Sequence, residues 1–213
     1  MSREDEYNHI NKMDFSFRHY KTSPLIICIL LLAIILDYFF QHLLQFTHAN
    51  FFRGPSNATI IGIILYIHNK WLWKFPLFNL LITVPDISGR YTGNLRYARE
   101  SQQTKECKIE IFQTASTVKI RLYTIGDMAS NTNSTSLSAE FLNHDGHLSV
   151  NFIYYNFGSD NKILDSHEGA TILNIFGEDK NTKLEGKYFT NREPQTRGHI
   201  EAIFESPKTQ GKF

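Results

Sequence analysis

Hydrophobic positions along this chain follow two different rhythms, one continuous and one alternating. The continuous stretch runs unbroken from Leu25 to Leu36, passes Asp37, and goes on through Tyr38, Phe39 and Phe40 to Leu43 and Leu44. A helix needs roughly 20 mostly apolar residues to cross a hydrocarbon core about 30 Å thick, and this stretch supplies them. Pro24 stands where a helix tolerates proline, in its first turn, with Arg18 and Lys21 just outside. The pattern predicts a transmembrane helix over about 24–45.

A second apolar stretch, Ala58 to Ile67, is shorter and meets His68, Asn69 and Lys70 before Trp71, Trp73 and Phe75. Counted over about 55–74 it predicts a second span, with Lys70 snorkelling and the tryptophans in the interfacial belt. A helix lying in the interface is the other reading. The first run is too long, too late and too aromatic at its end for a cleaved signal peptide, so retention is expected. Lys12, Arg18 and Lys21 precede the pair and Lys70 and Lys74 follow it, while the connecting loop holds only Arg53. The positive-inside bias then places both termini in the cytosol.

From Ser88 onward the apolar residues alternate, the period-2 signature of half-buried strands, and eight such segments follow one another. Tyr91, Gly93, Leu95 and Tyr97 alternate with Arg90, Thr92, Asn94 and Arg96 in the first. The second sets Ile109 and Ile111 against Lys108 and Glu110; the third sets Val118, Ile120 and Leu122 against Lys119 and Arg121. In the fourth, Leu137, Ala139 and Phe141 share a face opposite Ser138 and Glu140, and in the fifth Leu148, Val150, Phe152 and Tyr154 oppose Ser149 and Asn151. The sixth, Gly169 to Phe176, is ambiguous in phase. Leu184, Gly186 and Tyr188 define the seventh, and Ile200, Ala202 and Phe204 the eighth. Even spacing without a helical period predicts an antiparallel all-β domain. Eight strands close into a barrel just wide enough for a small ligand, and a β-sandwich with a filled core is the alternative.

The connections assign different work to the two ends. Turns after the second, fourth and sixth segments are short, at Gln113 to Ser116, Asn143 to Gly146 and Glu178 to Asn181. Those after the odd segments are longer and polar, covering about Arg99 to Lys105, Gly126 to Thr135, Phe157 to His167 and Asn191 to Arg197. The chain enters its first strand from the membrane, so the loop-rich mouth is expected to face the cytosol. Extending each inward phase to that mouth delivers Tyr97 and Arg99, Thr124, Tyr154 and Asn156, and Tyr188, Thr190 and Arg192. Aromatic faces stack on bases, and arginine offers a planar fork to phosphate oxygens. Tyrosines at strand ends are also commonly structural, with the ring in the core and the hydroxyl wet. Convergence, rather than any single residue, points to a ligand site.

Charge and cysteine usage narrow the partners further. A net charge of +1 gives no broadly basic surface for a DNA or RNA polymer. Cys28 lies in the first apolar run and Cys107 opens a strand far from it, so no disulfide framework is expected. Nine histidines fall into no catalytic or metal-binding spacing, and there is no nucleophile elbow or phosphate-binding glycine loop, so neither an enzyme nor a cofactor is expected. His144 and His147 flank Asp145 and Gly146, which turn chemistry explains without a metal. Asp37 is costly in an apolar helix; it either faces other helices of an assembled pore or sits near the interface with Gln41 and His42.

Several stretches together resemble the membrane effectors of bacterial CBASS antiphage operons, which pair two transmembrane helices with a β-strand-rich domain. These are Trp71-Leu72-Trp73-Lys74, then Pro85 to Gly93, Tyr155-Asn156 with His167 and Gly169, and Gly186 to Arg192 followed by Gly198. Tyr91 stands where that family often shows tryptophan. The resemblance implies a bacterial inner-membrane protein whose barrel binds a cyclic dinucleotide from a cognate CD-NTase. It further implies that binding promotes a homo-oligomer that disrupts membrane lipids and kills the infected cell. A membrane-tethered, lipocalin-like barrel carrying a lipid or other apolar ligand is the alternative.

The expected organisation is a cytosolic tail over 1–22, a transmembrane region over 23–82, a cytosolic β-barrel over 86–207 and a tail over 208–213. The fold class is membrane-anchored all-β, with an eight-stranded antiparallel up-and-down barrel. Its expected ligand-binding residues are Tyr97, Thr124, Tyr154, Asn156, Tyr188, Thr190 and Arg192.

Overall fold

The computed structural model describes residues 16–47, 57–98, 102–125, 131–159, 165–193 and 195–213. Lys12, Arg53 and Arg99 lie outside the described residues. Two compact units divide the chain: Asp86–Gln113 with Thr117–Phe213 in one, and Phe15–Pro85 with Thr114–Ser116 in the other.

The first unit is a closed barrel of eight antiparallel strands in sequential order. They are β1 (Gly89–Ala98), β2 (Gln102–Gln113), β3 (Val118–Thr124), β4 (Thr132–His144), β5 (His147–Ser159), β6 (His167–Phe176), β7 (Lys183–Thr190) and β8 (Arg197–Ser206). β1 closes the ring by pairing with β8 from Arg90↔Ser206 to Ala98↔Arg197, which leaves no free sheet edge and excludes the sandwich. The barrel expected from the alternation is borne out.

Its interior is packed over part of its length rather than hollow throughout. Ile109, Ile111, Val150, Leu173, Leu184 and Ile200 are buried inside, each stabilising the fold by about 1.5–3 kcal/mol on burial. Two details of the strand pattern differ from expectation. Leu137 was expected on the inward face with Ala139 and Phe141, but it is 48% exposed. The β4–β5 register shifts between Ser136 and Ser138, and the extra residue turns Leu137 out of the wall. The Ser136 hydroxyl is inside instead, where it accepts from the Ile120 amide at 2.9 Å. The connections at the mouth are also shorter than expected, because β1–β2 pairing continues to Ala98↔Gln102, β4 already begins at Thr132 and β5 runs on to Ser159. The polar stretch 102–106 is therefore strand at a wet rim, not loop.

On the outer wall Arg90 and Glu110 are buried as an ion pair, Nη1 to Oε1 at 2.7 Å. The C-terminal residues expected as a tail add to its hydrogen bonding. The Gln210 amide donates to Glu110 Oε1 at 2.6 Å, and Arg90 Nη1 donates to the Lys212 carbonyl at 2.6 Å. The β4–β5 turn has Asp145 at φ 51° and Gly146 at φ 83°, the left-handed pair of a tight hairpin, as its sequence implied.

The second unit begins with α1 (Thr22–Thr47), whose 26 residues extend about 39 Å. Ile26, Ile27, Leu30, Leu31, Ile34 and Ile35 are exposed along it. Among the described residues one helix is long and apolar enough to cross a membrane, over Thr22–His42. Gln41 Nε2 donates to Asp37 Oδ2 at 2.9 Å, one turn away on the same face. The next helix, α2 (Asn57–Lys70), has 14 residues and extends only about 21 Å. It stops short of the tryptophans, which fall on a 3₁₀ turn (Leu72–Lys74) and its lead-in, before the one-turn α3 (Pro76–Asn79). Trp71 is exposed, with Lys70 Nζ 4.5 Å from its ring centre, whereas Trp73 is fully buried rather than displayed in a belt.

The two ends of this unit also pack together. Tyr20 forms an antiparallel bridge with Ile82, flanked by Lys21 N–H donating to the Leu81 carbonyl at 2.8 Å. His68 joins the same cluster, with Nε2 3.2 Å from the Phe78 carbonyl and Nδ1 3.1 Å from the Tyr20 hydroxyl. A carbonyl only accepts, so the proton sits on Nε2 and Nδ1 accepts from tyrosine.

Candidate functional site

The mouth lies at the barrel end where β1, β3, β5 and β7 finish, and each strand there delivers inward side chains to one cavity of about 110 Å³ open to solvent. Tyr97 from β1, Thr124 from β3, Tyr154 and Asn156 from β5, Tyr188 and Thr190 from β7, and Arg192 just beyond all line it. The structure thus gathers the seven residues expected from the inward phases. The same geometry adds Lys105, Ser134, His167, Thr171 and Thr196, among others.

The two central tyrosines are positioned by glycines directly across from them. Tyr154 pairs with Gly169 on β6, and Tyr188 with Gly198 on β8. A side chain at Gly169 would collide with the Tyr154 ring, and a Cβ at Gly198 would lie 2.6 Å from Tyr188 Cε1. Each ring lies over a glycine backbone, a cross-strand arrangement that fixes an aromatic on a sheet. Burial pushes the Tyr154 hydroxyl up to about 12, with the Arg192 charge pulling the other way. Tyr188 is raised as well, chiefly by burial.

Arg192 is held by its neighbours. Its Nη2 donates to Thr196 Oγ1 at 3.0 Å, and the Thr196 amide donates to Thr190 Oγ1 at 3.2 Å, folding the β7–β8 loop onto its own base. Its charge reaches Tyr154, Tyr188 and His167, so the cavity is electropositive. Lys105 Nζ stands 5.3 Å from the Tyr97 ring centre at the rim. The hydroxyl of Tyr97 donates to Gln103 Oε1. Burial, then Arg192, pushes His167 below its ordinary value, opposed by its hydrogen bond to the Asp165 carbonyl.

Asn156 lines the cavity as expected, and both ends of its amide also hold the protein together. Nδ2 donates to Ser134 Oγ at 2.8 Å, and Oδ1 accepts from the Gly158 amide at 2.8 Å. It braces the rim where β5 turns. Thr124 and Thr132 likewise share a hydroxyl hydrogen bond of 2.7 Å across β3 and β4.

A family model described as "Cap15, cyclic dinucleotide receptor domain" matches residues 82–203, the greater part of the chain and nearly the whole barrel. The chain belongs to the Cap15 receptor-domain family. It is also 31% identical over 141 residues to CD-NTase-associated protein 15 of Staphylococcus schleiferi, covering 64% of this chain and 71% of that protein. Both matches bear out the CBASS resemblance drawn from the sequence.

Within this Cap15 barrel, sequence reasoning missed Lys105 because its stretch was taken for loop. It missed Thr171 because Ala170, Ile172 and Ile175 make both phases of β6 look apolar. A signal was available in Gly169: a strand glycine opposite a tyrosine marks the inward phase, which puts Thr171 inside and Ile172 outside. On the outer wall Glu185, His199 and Glu201 approach closely enough to share an ion. Lys183 already lies 2.9 Å from Glu185, and Arg96 lies 2.6 Å from Glu201, so the group reads as a charge ladder.

Proposed function

We propose that the barrel is a cytosolic sensor that binds a cyclic dinucleotide made by a cognate CD-NTase, and that binding drives self-association and failure of the bacterial inner membrane. The observation that carries this reading is the mouth cavity itself, where Arg192, Lys105 and His167 surround the rings of Tyr97, Tyr154 and Tyr188. Cations suit the ligand's phosphates and aromatic faces suit its bases. Membership of a cyclic dinucleotide receptor family supports the same assignment. A lipid carrier would line its cavity with hydrocarbon, whereas threonine, serine, asparagine and arginine dominate here.

The exposed apolar surface of α1 supports a membrane anchor. α2 completes a hairpin whose two crossings return the chain to the cytosol, the bilayer thinning locally around its short apolar length. Ligand binding shifts assembly only if the assembled state binds more tightly than the separate one, so occupied barrels are the associating species. The test is full-length protein in lipid vesicles loaded with dye. Adding a cyclic dinucleotide releases dye from vesicles carrying the wild type, and the reading fails if no cyclic dinucleotide does so.

A further inference from the structure

Among the described residues, one polar atom in the cavity wall is sealed from water with no hydrogen-bond partner: the Thr171 hydroxyl, on a residue 1% exposed. Its cross-strand neighbours are Phe152 on β5 and Tyr188 on β7, both inward. Next along the same inward face stands the fully buried Leu173, so Thr171 is where polar lining meets hydrocarbon at the cavity floor. A strand accepts valine in that position at least as readily as threonine. Valine has nearly the same outline and would leave no buried hydroxyl unsatisfied. Folding alone therefore gives no reason for this side chain.

We propose that the Thr171 hydroxyl is kept for the ligand, as the group that reads the leading edge of a single nucleobase inserted between Tyr154 and Tyr188. This rests on cyclic dinucleotide binding at the same mouth. A volume of about 110 Å³ is small against the roughly 300–1,000 Å³ of ordinary ligand pockets, so it takes one base and not two. The second base and both phosphates stay at the rim with Arg192, Lys105 and His167. Such a site discriminates strongly at one base, through a hydroxyl that must be satisfied, and weakly at the other.

The test titrates full-length protein in detergent with cyclic di-AMP, cyclic di-GMP, cyclic di-UMP and a mixed UMP–AMP cycle, comparing wild type, Thr171→Val and Thr171→Ser. The wild type is expected to favour ligands sharing one base. Thr171→Val weakens the favoured ligand about tenfold and flattens the ranking, whereas Thr171→Ser keeps it. Without ligand, Thr171→Val melts about 2–4 °C higher, because an unsatisfied buried group has gone. If the wild type binds none of the four, the receptor reading fails and this assignment with it. If the wild type binds and Thr171→Val matches it in affinity and ranking, the Thr171 assignment alone is overturned. A Thr171→Val protein that both binds and melts worse marks a structural residue and also overturns it.

Discussion

The outer wall and the mouth of the barrel both bury polar side chains, and they treat them in opposite ways. On the wall, Arg90 and Glu110 pair with each other at 2.7 Å and take further hydrogen bonds from backbone groups of residues 210–212, although Arg90 Nε itself makes none and has only the Glu205 carboxylate at 3.6 Å. At the mouth the Thr171 hydroxyl is left without a partner, and Arg192 directs its charge toward two tyrosines and a histidine. Buried atoms without a hydrogen-bond partner also occur away from the mouth, at Trp73 Nε1 and the Thr135 hydroxyl, so burial alone does not mark a site. Those left short of partners in a concave, electropositive place are the ones a ligand would complete.

The largest break in that contrast comes from the wall. Replacing Glu110 by alanine leaves the buried Arg90 guanidinium with only the more distant Glu205 carboxylate at 3.6 Å and the Lys212 carbonyl, and should cost up to about 3–5 kcal/mol, read by denaturant unfolding of the full chain. Ligand affinity measured on the remaining folded protein should be unchanged, because the pair is remote from the mouth lining. A loss of affinity equal to that of a mouth variant would erase the distinction between the two regions.

A smaller effect follows from His167, whose Nδ1 donates to the Asp165 carbonyl at 3.1 Å. Its lowered value keeps it neutral near pH 7 in the free protein, and a bound phosphate would raise that value again. Binding then takes up a proton, so affinity should rise as pH falls below about 6.5, by at most about tenfold per unit for one group. The folded free protein loses stability over the same fall, since the buried ring resists the charge that the unfolded chain accepts. Titrations between pH 5 and pH 8 with His167→Asn check the assignment; an unchanged pH dependence would remove His167 from it.

The smallest effect belongs to the exposed pair Arg96 and Glu201, whose side chains are 2.6 Å apart but wet. Arg96→Ala should change stability by less than about 1 kcal/mol, fading further in high salt. A cost near that of Glu110→Ala would show that distance alone, not burial, sets the value of an ion pair in this barrel.

Much of the barrel was legible because inward residues repeat every second position, and Tyr91, Leu95, Val150, Phe152, Leu184 and Ile200 kept that rhythm. Tyr97, Tyr154, Tyr188 and Arg192 could be placed by carrying the rhythm to the strand ends. Leu137 could not, because a bulge shifts register without any signature in the alternation. Thr171 was hidden by a strand apolar on both faces, and Lys105 by polar residues that form strand at a wet rim. The Arg90–Glu110 pair joins residues far apart in sequence to the final residues of the chain, a coincidence only the closed register creates. In the second unit, Trp73 looks interfacial from its neighbours Trp71 and Lys74, and local sequence cannot show that its side chain is buried.

The most direct measurement of the mouth as a ligand site is calorimetric titration of the full chain in detergent with the four cyclic dinucleotides, for the wild type and Arg192→Ala. At least one ligand should bind the wild type, and Arg192→Ala should weaken it by roughly 10- to 100-fold while leaving the melting temperature of the free protein nearly unchanged. Equal affinity in the two proteins would contradict the account.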